Sequence, residues 1–397
     1  MHNNGPPAVV VGLSITGLGI VRSLAKSGVN VIGVDSSFNK PSSHTKYCKK
    51  VTCVDIDNED KLLEALIGVS KKIEVKPVLF LSTDMSVLIA SENREILEDY
   101  YLFNLPTKST VQTFMHKTLF AEFARRNSFH IPKTFVANGI EDVEVFAEQV
   151  DYPCVLKPSF RQPLWDKSTP VKVFKAQSRE ELMNLYRRNS SLANMFVVQE
   201  MIPGPDSEVY FCLLFYNSLS KPAASLTGRK LVQWMPELGS TCIAEKFDNS
   251  IVYNESIRLF DRVSYKGIGS VEFKRDMRDN KFKIMEPTIG RADLQSAIGY
   301  HNGVNIPLLE YCDCLNLEAP KFVSKKRKQY WINEEALFWF LTSGKVKPWR
   351  NELIQVIKKE KAYAFFELHD IRPFIYFIIN VIRILLRKLW QSDKEGT

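Results

Sequence analysis

The 397-residue sequence lacks the cysteine content of a disulfide framework, since it has only seven cysteines, an odd number, in a chain long enough to bury a large core. We interpret Cys312 and Cys314 as buried or bystander thiols in a reducing compartment. Internal repeats and low-complexity segments are also missing. With 45% hydrophobic and 25% charged residues, the composition excludes a disordered or fibrous protein and predicts about two to four domains.

Most of the chain lacks an excess of either charge, although the net charge of the whole chain is +8. Residues 1–320 contain 37 basic and 37 acidic residues, whereas residues 321–397 contain 16 basic and 8 acidic ones. A nucleic-acid binder would interleave basic and aromatic side chains along one surface, and residues 1–320 show no such stripe. We therefore expect no nucleic-acid partner.

A secretory signal is not expected, because residues 1–7 carry no basic segment and the apolar run after them is short and leads into glycines. We predict a cytoplasmic protein.

The first 105 residues have a β-α-β pattern. An apolar run at 8–13 precedes the spacing Gly12-x4-Gly17-x-Gly19 and a helical stretch, and further apolar runs follow at 29–34 and 77–82. This predicts an open α/β domain over residues 1–105. The glycines fit a tight structural turn, and a nicotinamide cofactor is the alternative, although the spacing differs from GxGxxG.

Residues 106–195 predict a small α+β lobe, and 196–320 a larger, strand-rich lobe with a helix at 250–264. In the small lobe a helix at 108–127 leads into a β-α-β-β-α-β alternation. Its segments are strand 131–135, helix 140–149, strands 153–158 and 171–176, helix 178–188 and strand 196–201.

Glu272 and Glu286 flank an obvious turn at 277–280. If a hairpin is centred near Asp279, the two carboxylates lie opposite each other, with side chains roughly 5 Å apart. Like charges so placed repel, and a hard cation such as Mg²⁺ would remove the conflict. The alternative is that both are solvated residues at the rim of a hairpin.

Two other segments are unusual. Lys157 interrupts the apolar run Val-Leu-Lys-Pro. An anion such as phosphate would compensate the charge of this lysine. The alternative is that Lys157 lies on an edge strand, where its charge prevents aggregation. The run Gln199-Glu-Met-Ile-Pro-Gly204 breaks a buried strand, so its backbone groups could pair with a purine, and a plain β-hairpin is the alternative.

The order and spacing of a set of residues resemble those of the ATP-grasp superfamily of carboxylate-amine ligases. The set is Lys117, Lys157, Gln-Glu-x-Ile-Pro-Gly, Glu272, Glu286 and Arg291. The resemblance covers about residues 106–312, and residues 1–105 resemble the pre-ATP-grasp domain of such enzymes. It implies an open α/β N-terminal domain followed by a two-lobed ATP-grasp fold, with residues 321–397 as a basic tail that ends in a helix.

The resemblance also implies roles for individual residues. Lys117 and Lys157 match the phosphate-binding lysines of the family, Glu200 and Ile202 its adenine hinge, and Glu208 its ribose-binding acid. Glu272 and Glu286 match the ligands of Mg²⁺, or of Mn²⁺ in its place. Arg291, with Lys157, would serve catalysis by steadying an acyl-phosphate.

Two departures from the family pattern concern the metal and the phosphates. The family usually has Asn-Pro-Arg after the second glutamate, whereas this chain has Glu286-Pro-Thr288-Ile-Gly-Arg291. Thr288 would therefore take the place of an asparagine ligand and bind a cation more weakly. The loop 159–165 lacks the family's glycines, and we expect Arg161 and hydroxyl groups to replace them. The segments 227–230 and 239–241 resemble those near the acyl-phosphate, and a basic β-turn is the alternative.

The implied activity is an ATP-dependent ligation of a carboxylate and an amine, with small-molecule or envelope-linked substrates. The alternative is an ATP-binding protein of the same fold without ligase activity.

Residues 371–390 are strongly apolar and long enough to span a bilayer, yet they include Arg383 and Arg387. Tyr376, Asn380, Arg383 and Arg387 fall on one stripe of a helix. This predicts an amphipathic helix on an anionic membrane surface, with the basic run 325–328 adding attraction. A core or partner helix and a membrane span are the alternatives. Peripheral location on the inner face would fit envelope or surface-polysaccharide assembly.

Overall fold

The computed structural model describes residues 5–159, 165, 168–169, 173–320, 330–344, 346–357 and 359–395. Within these ranges the strands form a parallel four-stranded sheet, an antiparallel four-stranded sheet and a seven-stranded sheet. An open α/β domain is thus followed by two sheet lobes and a C-terminal helix, which confirms the predicted architecture.

The N-terminal domain is a parallel sheet in the order β3-β2-β1-β4. Val9, Val10 and Val11 of β1 are fully buried, because helices and neighbouring lobes cover both faces of the sheet. The elements are β1 (Ala8–Val11), α1 (Ile15–Ala25), β2 (Val31–Asp35), β3 (Lys49–Thr52), α2 (Glu59–Ser70), β4 (Val78–Leu81), α3 (Asp84–Glu92) and α4 (Arg94–Tyr100). The sequence analysis missed the edge strand β3, whose residues are largely exposed and two of which are lysines.

The glycine-rich turn between β1 and α1 packs the helix closely on the strand. Gly12 has a φ of +82°, and its carbonyl accepts a hydrogen bond of 2.8 Å from the Ser82 hydroxyl. A Cβ atom on Gly17 would lie only 1.9 Å from the Gly12 carbonyl oxygen. This contact accounts for the glycine at 17 by packing alone.

The single helix predicted at 108–127 is wrong, because two helices occupy this stretch: α5 (Lys108–Met115) and α6 (Lys117–Arg126). His116 between them has φ −90° and ψ 114°, which is extended backbone. The bend lets both helices bury aromatic side chains together, since the rings of Phe114 and Phe120 are 5.5 Å apart. Lys117 therefore begins a new helix.

The small lobe has the predicted β-α-β-β-α-β alternation, with its sheet in the order β5-β8-β6-β7. Its elements are β5 (Thr134–Ala137), α7 (Ile140–Ala147), β6 (Cys154–Pro158), β7 (Phe174–Ala176), α8 (Arg179–Asn189) and β8 (Phe196–Glu200). The first strand begins at 134 rather than at 131. Because β8 pairs with β5 and β6, residues 196–200 lie in the small-lobe sheet and not in the large lobe, where the predicted boundary had placed them.

The large lobe is built on a seven-stranded sheet in the order β13-β12-β9-β10-β11-β14-β15. The interior strand β9 is buried along its whole length. The elements up to residue 314 are β9 (Val209–Tyr216), β10 (Pro222–Trp234), β11 (Ser240–Lys246), α9 (Ser250–Asp261), β12 (Gly267–Arg275), β13 (Phe282–Ile289), α10 (Ala297–His301) and α11 (Ile306–Cys314).

The last described stretch is part of the body and not a separate tail, because β14 and β15 extend the large sheet beyond β11. Each of these strands has three residues, too few to show a sequence pattern. The elements are β14 (Tyr330–Ile332), α12 (Glu334–Thr342), α13 (Arg350–Ile357), β15 (Lys361–Tyr363) and α14 (Arg372–Glu395).

The C-terminal helix α14 is fixed to the N-terminal domain near its start. Phe377 is 6% exposed and packs with Leu18 and Phe365 in one buried cluster. In the part of the chain that the structure describes, no helix has the length and apolar character needed to cross a membrane. The basic run 325–328 lies outside the described residues.

Candidate nucleotide-binding site

The opposition of two carboxylates predicted from the sequence is present in the β12–β13 hairpin. Glu272 pairs directly with Glu286, and Phe273 pairs with Ile284, so Met285 is an extra residue in β13. This bulge places Met285 and Glu286 together on the wall of the cleft between the lobes, while Ile284 stays in the core. The pairing of Glu272 with Glu286 was therefore predicted correctly, but the register beside the turn differs by one residue, since Arg275 pairs with Phe282, and only the bulge brings the two glutamates opposite each other.

A buried lysine lies beside these carboxylates. The Lys230 ammonium group on β10 forms an ion pair with Glu272, and Lys230 is 6% exposed. Burial alone would lower the pKa of Lys230, but the adjacent Glu272, together with Asp293 and Glu286, raises it. One positive charge thus balances part of the repulsion between Glu272 and Glu286.

The donor atoms in this part of the cleft fit a hard divalent cation. Glu272, Glu286 and Thr288 all line it and offer oxygen atoms, which Mg²⁺ prefers. Among the described residues, no three His, Cys, Asp or Glu side chains gather into a metal cluster. A cation between the two glutamates would therefore complete its ligands with phosphate oxygens and water, the usual arrangement for Mg²⁺ with nucleotides.

Two lysines face Glu286 across the same cleft. Lys157 on β6 donates a hydrogen bond of 2.8 Å to Gln199 Oε1, and burial, followed by the charge of Lys117, lowers the pKa of Lys157 to about 8. Lys117 is the first residue of α6, where the helix dipole also favours an anion. The two ammonium groups line one pocket with Glu286, so this part of the cleft suits phosphate.

The alternative interpretation of Lys157 as an edge-strand residue is wrong, because β6 lies between β8 and β7 within the sheet. The plain hairpin at Pro203–Gly204 is also wrong, since β8 and β9, which this segment connects, belong to different sheets. The segment is a hinge between the lobes.

The hinge borders a slot between the lobes whose lining is partly apolar. Ile202 is 1% exposed, and it lines the slot with Val155, Val209 and Met285. These apolar residues offer a surface for a purine ring, while other residues of the lining, among them Gln233 and Lys274, are polar or charged.

The Glu200 side chain is held by a charge cluster at the hinge. Its carboxylate accepts hydrogen bonds from the Lys133 N–H at 2.8 Å, Arg278 at 3.0 Å and Lys283 at 3.1 Å. Burial alone would raise the pKa of Glu200, but these bonds lower it. Arg278 and Lys283 also bind buried Asp276, so the cluster joins β8 of the small lobe to the β12–β13 hairpin of the large lobe.

Glu208, predicted to bind ribose, is engaged elsewhere. Arg275 donates to both of its carboxylate oxygens, at 2.6 and 2.8 Å, and Glu208 is not among the described residues that line the slot. Two charged side chains that the sequence analysis missed, Lys274 and Glu237, do line it. Lys274 could have been found, because it follows Glu272 at the two-residue spacing of one strand face.

Arg291 lies at the polar end of the cleft, which is also lined by Thr16 and Asp84 of the N-terminal domain. Its Nε donates to Asp84 Oδ1 at 2.5 Å, and its Nη1 donates to the Ala292 carbonyl at 3.0 Å. Asp84 begins α3, and sequence reasoning missed it because it is far from Arg291 in the chain. The N-terminal domain thus helps to position Arg291.

The segments predicted near the acyl-phosphate are only partly in the cleft. Residues 239–241 and Lys230 line it, whereas Arg229 forms an ion pair of 2.6 Å with Glu245. Thr227 donates to the Phe247 carbonyl at 2.8 Å. Arg161, expected to replace the missing glycines, lies outside the described residues.

No protein-family model matches the chain. A curated relative, the D-aspartate ligase of Enterococcus faecium (strain Aus0004), is 21% identical over 311 residues, which cover 71% of this chain and 74% of the relative.

Two solved structures are similar over most of the chain. The biotin carboxylase domain of 2-oxoglutarate carboxylase from Hydrogenobacter thermophilus, in complex with MgADP, ADP and bicarbonate, has a TM-score of 0.62 at 12% identity and covers 81% of this chain and 73% of its own. The L-amino acid ligase of Bacillus licheniformis has a TM-score of 0.58 at 12% identity and covers 81% and 75%.

The described residues form a parallel α/β domain followed by two sheet lobes with a cleft between them. The chain has the ATP-grasp fold.

Proposed function

We propose that the protein is an ATP-dependent ligase that joins a carboxylate to an amine through an acyl-phosphate. The observation that carries the proposal is the direct opposition of Glu272 and Glu286 in a cleft that they share with Lys117 and Lys157. The distant similarity to the D-aspartate ligase and the L-amino acid ligase supports it.

In this proposal the adenine of ATP occupies the slot beside Ile202, and Lys117 and Lys157 bind its phosphates. Glu272, Glu286 and Thr288 would hold Mg²⁺, or Mn²⁺ in its place, which neutralises charge on the transferred phosphoryl group. Lys157 would lie close to the negative charge of the transferred phosphoryl group. Positive charges held in fixed positions supply much of the rate enhancement in phosphoryl transfer.

The reaction would proceed in two displacements. A carboxylate oxygen of the first substrate attacks the γ-phosphorus of ATP, the bond to the β-phosphate oxygen breaks, and ADP leaves. The nitrogen of a neutral amine then attacks the acyl carbon and loses a proton, and inorganic phosphate leaves with the C–O bond's electron pair. Arg291, positioned by Asp84 at 2.5 Å, would steady the acyl-phosphate.

We infer that one of the two substrates is an amino acid, because the names of the two ligase relatives specify amino acids. We further infer a role in envelope or surface-polysaccharide assembly on the cytoplasmic face of a membrane. The partly exposed apolar face of α14 supports this location.

The test is a screen of carboxylate and amine pairs for ADP and phosphate release by the purified protein with Mg-ATP. We expect ADP release only when both an acid and an amine are present. The reaction should also yield an amide that mass spectrometry detects. Glu286→Gln should lower this ADP release by roughly 100-fold or more. Tight ATP binding without turnover across the screen would contradict the ligase and support the alternative, an ATP-binding protein of the same fold.

A further inference from the structure

The C-terminal helix α14 presents a row of large apolar side chains to solvent. Five of them, on successive turns, are between 39% and 60% exposed: Ile375, Ile378, Ile382, Leu385 and Leu386. At 100° per residue they fall within an arc of about 100° on the helix surface. A continuous apolar row of this length is unusual for a surface in contact with water only.

The helix is fixed to the body by other faces, so its exposed row has a defined orientation. Phe377 packs against Phe365 with ring centroids 5.3 Å apart, and Tyr376 stacks on His44 of the N-terminal domain at 3.3 Å. Just before the helix, buried Asp370 accepts a hydrogen bond of 2.9 Å from Arg22 Nε. The first turns of α14 therefore belong to the rigid fold.

The surroundings of the apolar row are basic. Residues 371–392 contain four basic side chains and no acidic one. Arg383 and Arg387 are exposed on the stripe next to the row, and exposed Lys46 lies where the N-terminal domain meets the start of the helix. This distribution complements a negatively charged surface.

The row is broader than a dimer seam. In a two-stranded coiled coil, charged side chains normally border a narrow apolar seam. Here Ile379, which borders the row on the side of Arg383, is also apolar, while Val381 beyond the other border packs against the buried cluster that holds the helix to the body. A wide apolar face with arginines along one side is instead the pattern of a helix that lies in a membrane interface.

We propose that α14 binds the surface of a bilayer that contains anionic phospholipid. The five apolar side chains enter the acyl-chain boundary, while Arg383 and Arg387 contact headgroup phosphates. This binding names anionic phospholipid as the partner at the membrane location given in the proposed function. Only the biological purpose of the binding rests on that function, because lipid binding itself needs no ligase activity.

The test is flotation of the full chain with vesicles of phosphatidylcholine alone or mixed with phosphatidylglycerol. We expect binding to the mixed vesicles, weakening as salt is added. The double variant Ile378→Ser with Ile382→Ser should bind at least about tenfold more weakly, because less apolar area enters the bilayer. Arg383→Glu with Arg387→Glu should also lose about tenfold or more. The matched control is Leu219→Ser, which changes a residue 77% exposed in the distant β9–β10 turn and should bind normally.

Three outcomes would overturn the proposal: no binding to the mixed vesicles, equal binding to both vesicle types, or a dimer in sedimentation without lipid that the Ile378→Ser, Ile382→Ser variant abolishes. The last would assign the row to a second copy of the chain. Circular dichroism of each variant separates loss of binding from misfolding. ATP-dependent ADP release in solution is measured on the same samples, so failure of lipid binding and failure of the ligase proposal are distinguishable.

Discussion

At the scale of single residues, the site depends on charges that compensate one another. Glu272 and Glu286 oppose each other, and Lys230 pairs with Glu272. The turn at 277–280 predicted the pairing of the two glutamates to within one residue, and the bulge at Met285, which the sequence did not show, brings them directly opposite each other. Lys230 was visible only as part of a basic segment, since nothing in the sequence places β10 beside Glu272.

We expect ATP affinity to fall with rising pH through the titration of Lys157, whose pKa is lowered to about 8. The lysine is charged below this pKa and binds phosphate, and it loses its proton above it. Between about pH 7 and about pH 9 the ATP dissociation constant should therefore rise about tenfold. Calorimetric titration measures it. Lys157→Arg, which keeps its charge, should remove most of this pH dependence, and an unchanged slope in that variant would contradict the assignment.

Lys157→Ala should abolish turnover without unfolding the protein.

We expect Glu272→Gln and Glu286→Gln each to lower the rate of ADP release by roughly 100-fold or more, because each removes a charge that would hold the cation at the transferred phosphate. Steady-state kinetics over a range of Mg²⁺ and Mn²⁺ concentrations measures the effect. Asp279→Asn is the matched control, since Asp279 is an exposed residue in the turn of the same hairpin. Near-normal rates in both glutamine variants would exclude a metal role.

At the scale of elements, the hinge is connected to the large lobe through the turn of the β12–β13 hairpin. Glu200 at the end of β8 and Asp276 at the end of β12 share Arg278 and Lys283. The sequence predicted the hairpin and the hinge separately, from a turn and from a Pro-Gly break. It could not predict their contact, which depends on how the two sheets are placed.

We expect Lys283→Met to destabilise the protein by about 2 kcal/mol or more at neutral pH, because buried Glu200 and Asp276 lose a positive partner. Urea unfolding measures the free energy. The Arg278 guanidinium first, and then Lys283, hold the pKa of Asp276 well below its usual range. Their stabilisation is present above the ordinary carboxyl pKa of about 4 and is lost as the pH falls below it, so the difference from wild type should shrink in acid. Lys281→Met, an exposed neighbour, should have little effect, and an equal loss in both variants would contradict this explanation.

Element boundaries were predictable where apolar periodicity was strong and failed where the backbone changes direction locally. The predicted helix at 108–127 has the right apolar face, but the extended backbone at His116 divides it. The bulge at Met285 and the short strands β14 and β15 likewise depend on pairing with distant strands. Such features are set by tertiary contacts and not by local sequence.

At the scale of the whole molecule, the N-terminal domain contacts both the cleft between the lobes and the C-terminal segment. Asp84 binds Arg291 in the cleft, and Arg22 binds Asp370 just before α14. The order of the domains and the fold class were predictable from motifs in sequence order. These contacts between residues hundreds of positions apart were not.

We expect Asp370→Asn to lower the free energy of unfolding by about 3 kcal/mol, because Arg22, itself 8% exposed, would be left buried without its carboxylate. Asp370 also accepts hydrogen bonds from the Thr45 hydroxyl at 2.6 Å and the Lys46 N–H at 2.9 Å. Thermal and urea unfolding measure the loss. The control Glu367→Gln breaks the nearby, less buried pair with Lys26 and should cost clearly less than Asp370→Asn does. Equal effects would contradict the role of the buried pair.

Deletion of residues 371–397 should also destabilise the protein, since it removes Phe377 from its buried cluster with Leu18 and Phe365. Point substitutions on the exposed row therefore test lipid binding more cleanly than truncation does. A truncated chain with unchanged thermal stability would contradict the packing role of α14.

The most direct measurement for the nucleotide site is anomalous diffraction from crystals grown with Mn²⁺ and ADP. We expect a manganese peak between the carboxylates of Glu272 and Glu286, with a nucleotide phosphate oxygen completing its ligands and the adenine beside Ile202. A nucleotide bound in the cleft with no peak at that position, or with the two carboxylates turned away from each other into solvent, would contradict it.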